Sequence, residues 1–402
     1  MIRCKIKYLA LQALKTDINL NNNVYKPKFN SLVKKSFDTI VIGGGLVGSA
    51  VACGIARKGL SVAILDGGDR DYRASRGNFG LVWVQGKGAD YAPYAKWSGL
   101  ASKHYSLFEQ GLKEATGINV GLSQNGGFDF CLTEEEWDER LVEMAAVSRH
   151  THGEFKYQML DYVELKQLMP PISDEVVGAS YSPHDGHLNP LYLLRGLQNW
   201  TQSLGGVYLP ETKAISIRAL KRGFDISTSN AVYHSEKVVL CGGLDNQRLT
   251  RDLDMFIPIH SVRGQLLVSE RVAPFLTHPS LQIRQTDEGS LQIGDSHEVV
   301  GLNDGTTLDV MAKMARRAVT IFPHLSSVKL NRAWGALRVM TPDGLPVYHH
   351  SEQHPGAFAL SCHSGVSLAA LHAGFIADWI VGEETHPLIS DFSGDRFDVP
   401  IN

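Results

Sequence analysis

The chain has 402 residues, 43% of them hydrophobic and 20% charged, enough to bury a large core shared by two or three domains. Its formal net charge of -3 gives no electrostatic reason to expect nucleic acid or an anionic membrane as partner, and no transmembrane-length apolar run interrupts it. The cysteines Cys4, Cys53, Cys131, Cys241 and Cys362 show no C-x-x-C or C-x-x-H spacing, which argues against zinc or iron–sulfur ligation and for a reducing, cytoplasmic setting.

Residues 1–37 carry eight Lys or Arg against the single acid Asp17, and Asn21, Asn22 and Asn23 follow one another. Without periodicity or a cleavage site, residues 1–35 read as a disordered basic extension. The apolar run Thr39 to Ile42 then stops at Gly43, Gly45 and Gly48, in G-x-G-x-x-G spacing. A small-residue helix opens at Leu46 and Val47, and a second apolar run, Val62 to Leu65, ends on Asp66. Gly43 permits a tight turn, Gly45 lets a pyrophosphate approach the backbone, and Gly48 lets helix and strand pack closely. The helix N-terminus offers free N–H groups to the phosphates, and Asp66 falls where a carboxylate accepts ribose hydroxyls. The spacing therefore predicts a bound dinucleotide.

Beyond the polar segment ASRGNFG at 74–80 lies the apolar LVWV at 81–84. Helical spacing over 94–116 (Tyr94, Trp97, Tyr105, Phe108, Leu112) closes at Gly117. A strand over 126–133 precedes a helix capped by Thr133, with Glu136 completing a capping box. DGHLNP at 185–190 is a turn leading a helix over 191–204, and three strands follow between 213 and 240, the last ending on Gly242 and Gly243. A long strand is predicted over 258–269, an amphipathic helix over 307–322, then strand, turn, strand and a final small-residue helix. Helices and strands alternate near both ends and longer strands fill the middle, which suggests an α/β domain with a strand-rich domain inserted.

The glycine loop, ASRGNFG, DGHLNP, VVLCGG, PIHSVRGQ, LRVMTPDGLP and CHSGVSLAA occur in this order over residues 36–390. Together they resemble the D-amino acid oxidase-like family of flavoproteins, and ASRGNFGLVWVQGKG is most similar to the FAD-carrying subunits of opine- and hydroxyproline-type amine dehydrogenases. The resemblance implies an α/β fold: a Rossmann-like FAD-binding domain of glutathione-reductase-like topology, with an inserted α+β substrate domain on an antiparallel sheet. The expected FAD domain spans residues 36–86, 153–250 and 332–390, the substrate domain 87–152 and 251–331, and the tail 391–402. It further implies FAD contacts from Ser75, Arg76, Asn78, Phe79 and Gly80, from Gly242, and from His363, Ser364, Gly365, Val366 and Ser367. Arg338, in the LRVMTPDGLP match, takes the position from which glycine oxidase-like members pair with the substrate carboxylate. The competing role is a structural pairing with Asp343. His260 and Arg263 are expected to be structural.

Several positions depart from the family. Where sarcosine oxidases attach flavin through a Cys this chain has Ala336, so FAD is expected to be non-covalent. The position aligned with their lysine over the flavin is Ala369, and the second Arg of glycine oxidase is absent. Ser367 stands where many relatives have Gly. The implied reaction is oxidation of a D-amino acid or secondary amine acid by hydride transfer from Cα–H to flavin N5, the imine then hydrolysing. The implied partners are a small-molecule substrate and the subunits of a heteromeric dehydrogenase. An FAD-presenting electron-transfer subunit and an NAD(P)-dependent dehydrogenase are the alternatives.

Overall fold

The computed structural model of the protein describes residues 35–68 and 74–397. The predicted basic extension, but for Lys35, lies outside them, as do Cys4 and the last residues of the tail.

The main sheet has eight strands, and its central path runs 347–350, 357–361, 232–240, 36–42, 62–65, 207–209. From Ala357–Ser361 to Val207–Leu209 every neighbour along this path is parallel, and only Val347–His350 joins it antiparallel. Parallel strands covered on both faces read as continuous apolar runs. Accordingly Ile40, Val41, Ile64, Val238 and Val239 are all fully buried. The helix Leu46–Arg57 covers one face, and its small residues allow close approach: a Cβ at Gly54 would lie 2.4 Å from Ala377 Cβ. The hairpin strands Ala214–Ala219 and Phe224–Thr228 extend the sheet antiparallel. This is the expected α/β dinucleotide-binding architecture.

A four-stranded antiparallel sheet is built on the long pair His260–Arg271 and Leu330–Met340, in register from His260 opposite Met340 to Val268 opposite Arg332, with a shift of register before Ser269 opposite Leu330. The amphipathic helix Leu308–Ile321 lays Met314, Ala318 and Ile321 on it, in one cluster with Phe130 and Phe322. A three-stranded sheet, 127–131, 178–182 and 158–161, joins the same cluster. Two packing facts cut across the partition drawn from sequence. Leu330–Met340 straddles the boundary at 331/332, because its partner strand holds all of it in one ladder. The helix Ala92–Thr116, placed with the substrate domain, packs Trp97 and Ala101 into the core of the dinucleotide-binding sheet.

Local signals behave as their chemistry dictates. Gly117 ends its helix in the left-handed conformation, φ 69°, and Thr133 Oγ1 accepts the Glu136 N–H at 3.2 Å. The Glu136 carboxylate reaches back to the Leu132 N–H (2.8 Å) rather than to the cap residue itself. LVWV forms a strand only at Leu81–Val82. Among the described residues no helix is long and apolar enough to cross a membrane. Cys53, Cys131, Cys241 and Cys362 are free thiols.

Candidate active site

The strand Ser36–Ile42 ends at the centre of the parallel sheet, where the order reverses and a crevice opens beyond the strand ends. Gly43 turns the chain there with φ 108°, and a Cβ on it would come within 2.3 Å of the Cys241 carbonyl oxygen. A Cβ on Gly48 would meet the Gly43 carbonyl oxygen at 2.0 Å, so Gly48 serves the helix–strand contact and not the crevice wall. The crevice encloses about 550 Å³, walled by Gly45, Leu46, Val47 and Asp66 on one side and Gly242, His363 and Gly365 on the other. Asp66 is buried at the end of its strand and accepts the Tyr208 hydroxyl at 2.7 Å. Asn246, not anticipated from sequence, ties the far wall together: its side chain accepts the Gly242 N–H (2.7 Å) and donates to the Leu240 and Leu360 carbonyls.

The ASRGNFG segment closes the crevice. Ser75 Oγ accepts the first N–H of the glycine-loop helix, from Leu46, at 2.9 Å. The N–H groups that follow have no acceptor within the helix and are available to an anion. A Cβ at Gly45 would stand 3.0 Å from Ser75 Oγ, filling the gap between loop and helix that a pyrophosphate needs. Arg76 and Asn78 also line the crevice, and Asn78 Oδ1 accepts the Gly80 N–H at 2.7 Å in a local turn. Gly80 lines neither the crevice nor its neighbour; it packs against the Leu188 carbonyl, which a Cβ would approach to 2.4 Å.

A second cavity of about 210 Å³ meets the crevice at Ala74, Asn78 and His363. Phe79, Ser364, Val366 and Ser367 line it, and so does Arg338. The Arg338 Nη1 donates to the Ser296 carbonyl at 2.6 Å. Its guanidinium lies over Gly264, whose missing side chain leaves room for it. Burial lowers its pKa, with nearby Asp295 acting the other way; a guanidinium remains charged under such shifts. The structural pairing weighed for Arg338 is not formed, because Asp343 is bound by Arg396 at 2.7 Å. Arg263 does have a structural partner, Glu298, at 2.6 Å. His363 lines both cavities, and desolvation followed by the Lys87 and Arg338 charges pushes its pKa to about 3, leaving a neutral imidazole. Ser367 is a tie between elements: its Oγ accepts the Trp83 N–H (3.1 Å) and donates to the Leu81 carbonyl (3.2 Å).

Lys87 is the cavity residue that sequence reasoning missed. Its Nζ donates to Ser364 Oγ at 2.8 Å, and Ser364 Oγ in turn lies 3.0 Å from the Tyr94 hydroxyl. Ala369, the position aligned with the sarcosine oxidase lysine, is fully buried in an apolar cluster with Leu46 and Ala50 and does not face the cavity. An ammonium therefore does stand beside the cavity, contributed by the other loop. The available signal was the GKG at 86–88, two glycines flanking a lysine directly after a buried run. Asp185, read from sequence as part of a turn, anchors this loop by accepting N–H donors from Val84 (2.5 Å) and from the Gln85 side chain (2.6 Å).

The comparisons with known proteins agree with this geometry. The family model described as FAD dependent oxidoreductase (DAO) matches residues 38–379. An opine oxidase subunit of Agrobacterium tumefaciens (strain Ach5) is 40% identical over 361 residues, 90% of this chain and 97% of that protein. Its namesake from Rhizobium meliloti is 39% identical over 362 residues, 90% of this chain and 98% of that one. In fold, the chain is similar to the crystal structure of glycine oxidase from Geobacillus kaustophilus, with a TM-score of 0.82 at 23% identity, covering 90% of this chain and 98% of that one. With a family match over most of its length, and a crevice whose glycines leave room for a pyrophosphate where the family holds one, this chain belongs to the DAO family of FAD-dependent oxidoreductases.

Proposed function

We propose that this chain oxidises a D-amino acid or a secondary amine acid at the carbon bearing nitrogen, and that it works as the FAD-carrying subunit of a heteromeric enzyme. The observation that carries the reading is Arg338. Its guanidinium has no carboxylate partner among the described residues, yet it lines the cavity that opens onto the dinucleotide crevice. Bound FAD supplies the hydride acceptor, N5 of the flavin. Gly43, Gly45, Leu46, Val47 and Asp66 would hold the adenosine and pyrophosphate, with Ser75, Arg76 and Asn78 closing over them. His363 lies where the two cavities meet, with Gly365 on the crevice side and Ser364 on the side of the smaller cavity, and these residues would face the ring. With Ala336 at the tether position, FAD is held without a covalent bond.

Arg338 would grip the substrate carboxylate through paired hydrogen bonds, a geometry that a guanidinium has and an ammonium lacks. Holding Cα–H in one orientation can account for about 7–11 kcal/mol of the barrier. Phe79, Leu81, Trp83 and Leu266 give the cavity an apolar lining that excludes water from the reacting carbon. The substrate amine binds neutral, its lone pair forms the C=N bond as the C–H bond breaks, and water later hydrolyses the imine. With the amine neutral no base is required, and His363, its pKa pushed down to about 3, would be a weak one.

The nicotinamide alternative falls away with membership of an FAD-dependent family. The heteromeric reading is supported by the similarity to proteins named as opine oxidase subunits. A subunit that only presents FAD would retain its yellow colour but would not bleach with substrate. Anaerobic titration with D-amino acids, glycine, D-hydroxyproline, sarcosine and opines tests the reading. Bleaching by at least one carboxylate-bearing amine supports it, and no bleaching by any of them, with or without co-expressed partner subunits, refutes it.

A further inference from the structure

A further cavity of about 250 Å³ shares no lining residue with the crevice or with the substrate cavity. The helix Ala92–Thr116 supplies one wall with Lys96, Gly99, Leu100 and Lys103, a spacing that places all four on one helix face. Val84, Phe155, His184 and Leu388, remote from one another in sequence, supply the others. Gly99 marks the space as open. Within a helix only proline is a poorer residue than glycine, yet an ideal Cβ at Gly99 would meet nothing within 4 Å. No packed neighbour requires a glycine there, and what a side chain would fill is the cavity itself.

The chemistry of the cavity is divided. Val84, Leu100, Phe155 and Leu388 are apolar, and His184 stacks on Phe155 with ring centroids 5.7 Å apart. His184 Nε2 accepts the Lys156 N–H at 3.1 Å, and burial followed by the Lys103 charge lowers its pKa, so it stands in the wall as a neutral ring. Charge is confined to the exposed rim. Lys103 pairs with Glu154 at 2.5 Å, both side chains more than half exposed, and Lys96 forms no ion pair among the described residues. These three leave the rim one positive charge in excess. The walls are also tied to the loop that carries Lys87. The Val84 N–H is held by Asp185, the residue after His184, and the Gly88 carbonyl lies 2.9 Å from Nδ1 of His150, the residue before Thr151 of the wall. Between these anchors the Lys87 ammonium donates to Ser364 Oγ in the substrate cavity.

We propose that this cavity is a second ligand site, taking a small aromatic carboxylate, and that its occupant bears on the Lys87 loop. The ring lies against Val84, Leu100 and Phe155, and the carboxylate reaches Lys96 and Lys103 at the rim. An apolar floor with few polar groups at its edge suits an apolar body carrying a single charge, and the excess at the rim fixes the sign of that charge. A ligand touching Val84 and His184 touches the residues that set one anchor of the loop, so its presence is felt at Lys87. Neither part rests on Arg338 or on the amine that is oxidised.

The test is a calorimetric titration of the FAD-loaded chain with phenylacetate and with its neutral counterpart, 2-phenylacetamide. It is run in an Arg338→Ala background, so that the guanidinium of the substrate cavity cannot capture the acid. Phenylacetate is expected to bind about fivefold more tightly than the amide, the size of an exposed charge contact. Adding Lys96→Met and Lys103→Met should remove that preference and leave the amide unchanged. Adding Gly99→Leu should abolish binding of both probes without lowering the melting temperature, because leucine is the better helix former. Saturation with phenylacetate should shift the flavin absorbance bands in the Arg338→Ala protein and leave them unmoved once Gly99→Leu is added. No binding in the Arg338→Ala background, or binding that survives Gly99→Leu, would overturn the site. Equal affinity for acid and amide would overturn the anionic ligand, and binding with a silent flavin would overturn the link to the Lys87 loop. Should Gly99→Leu lose its flavin, the lysine variant, altered at exposed residues alone, decides.

Discussion

A methyl group at Gly264 tests the role of Arg338 without touching Arg338. An ideal Cβ there would lie 2.7 Å from its Cζ and Nη1 and 2.8 Å from its Nη2, whereas ordinary contact begins at 3.4 Å. The guanidinium must therefore retreat by about 0.7 Å, and being the free end of a long side chain it can do so. Gly264 sits in regular register opposite Ala336 in the antiparallel ladder, with no left-handed φ, so alanine is acceptable to the backbone. The melting temperature should stay within about 2 °C of wild type. Misplacing a positioning group by ~1 Å can cost on the order of 100-fold in rate, so a 0.7 Å displacement should cost roughly 10- to 30-fold in kcat/KM, about 1.4–2 kcal/mol. The assay is dye-coupled turnover of the best substrate from the anaerobic panel, beside an amine that lacks a carboxylate. Gly264→Ala with wild-type kcat/KM and an unchanged melt would refute the assignment of Arg338. An equal loss on both amines would make the effect structural.

Arg338→Ala should lose roughly 30-fold or more in kcat/KM, from the ~2–5 kcal/mol attached to removing one partner of a buried charged contact, and Arg338→Lys should recover only part; steady-state kinetics with and without a substrate carboxylate check both. Acid precipitation should release the yellow cofactor into the supernatant, since Ala336 offers no tether; colour retained in the pellet would contradict non-covalent binding. Gly45→Leu should yield colourless protein, because even a Cβ there stands 3.0 Å from Ser75 Oγ; absorbance of the purified variant tests it.

What the sequence determined by itself is local or repeats at short range. The G-x-G-x-x-G spacing, the apolar runs on either side, Asp66, the Gly117 stop and the Thr133 cap all act within a few residues of themselves, so their chemistry survives being read one-dimensionally. The order of motifs carried the family and the fold class, because a glycine crevice beyond parallel strands leaves little choice of architecture. The tertiary structure alone decided which loops share a cavity. Arg338 stands there because a partner strand supplies Gly264 beneath it, and Asp343 is unavailable because Arg396 takes it. Lys87 reaches the cavity because Asp185, 98 positions beyond it in sequence, accepts the hydrogen bonds that fix its loop. Ala369, two residues past Ser367, turns into an apolar core instead. Direction and burial of a side chain depend on partners remote in sequence, and no spacing within a motif records them.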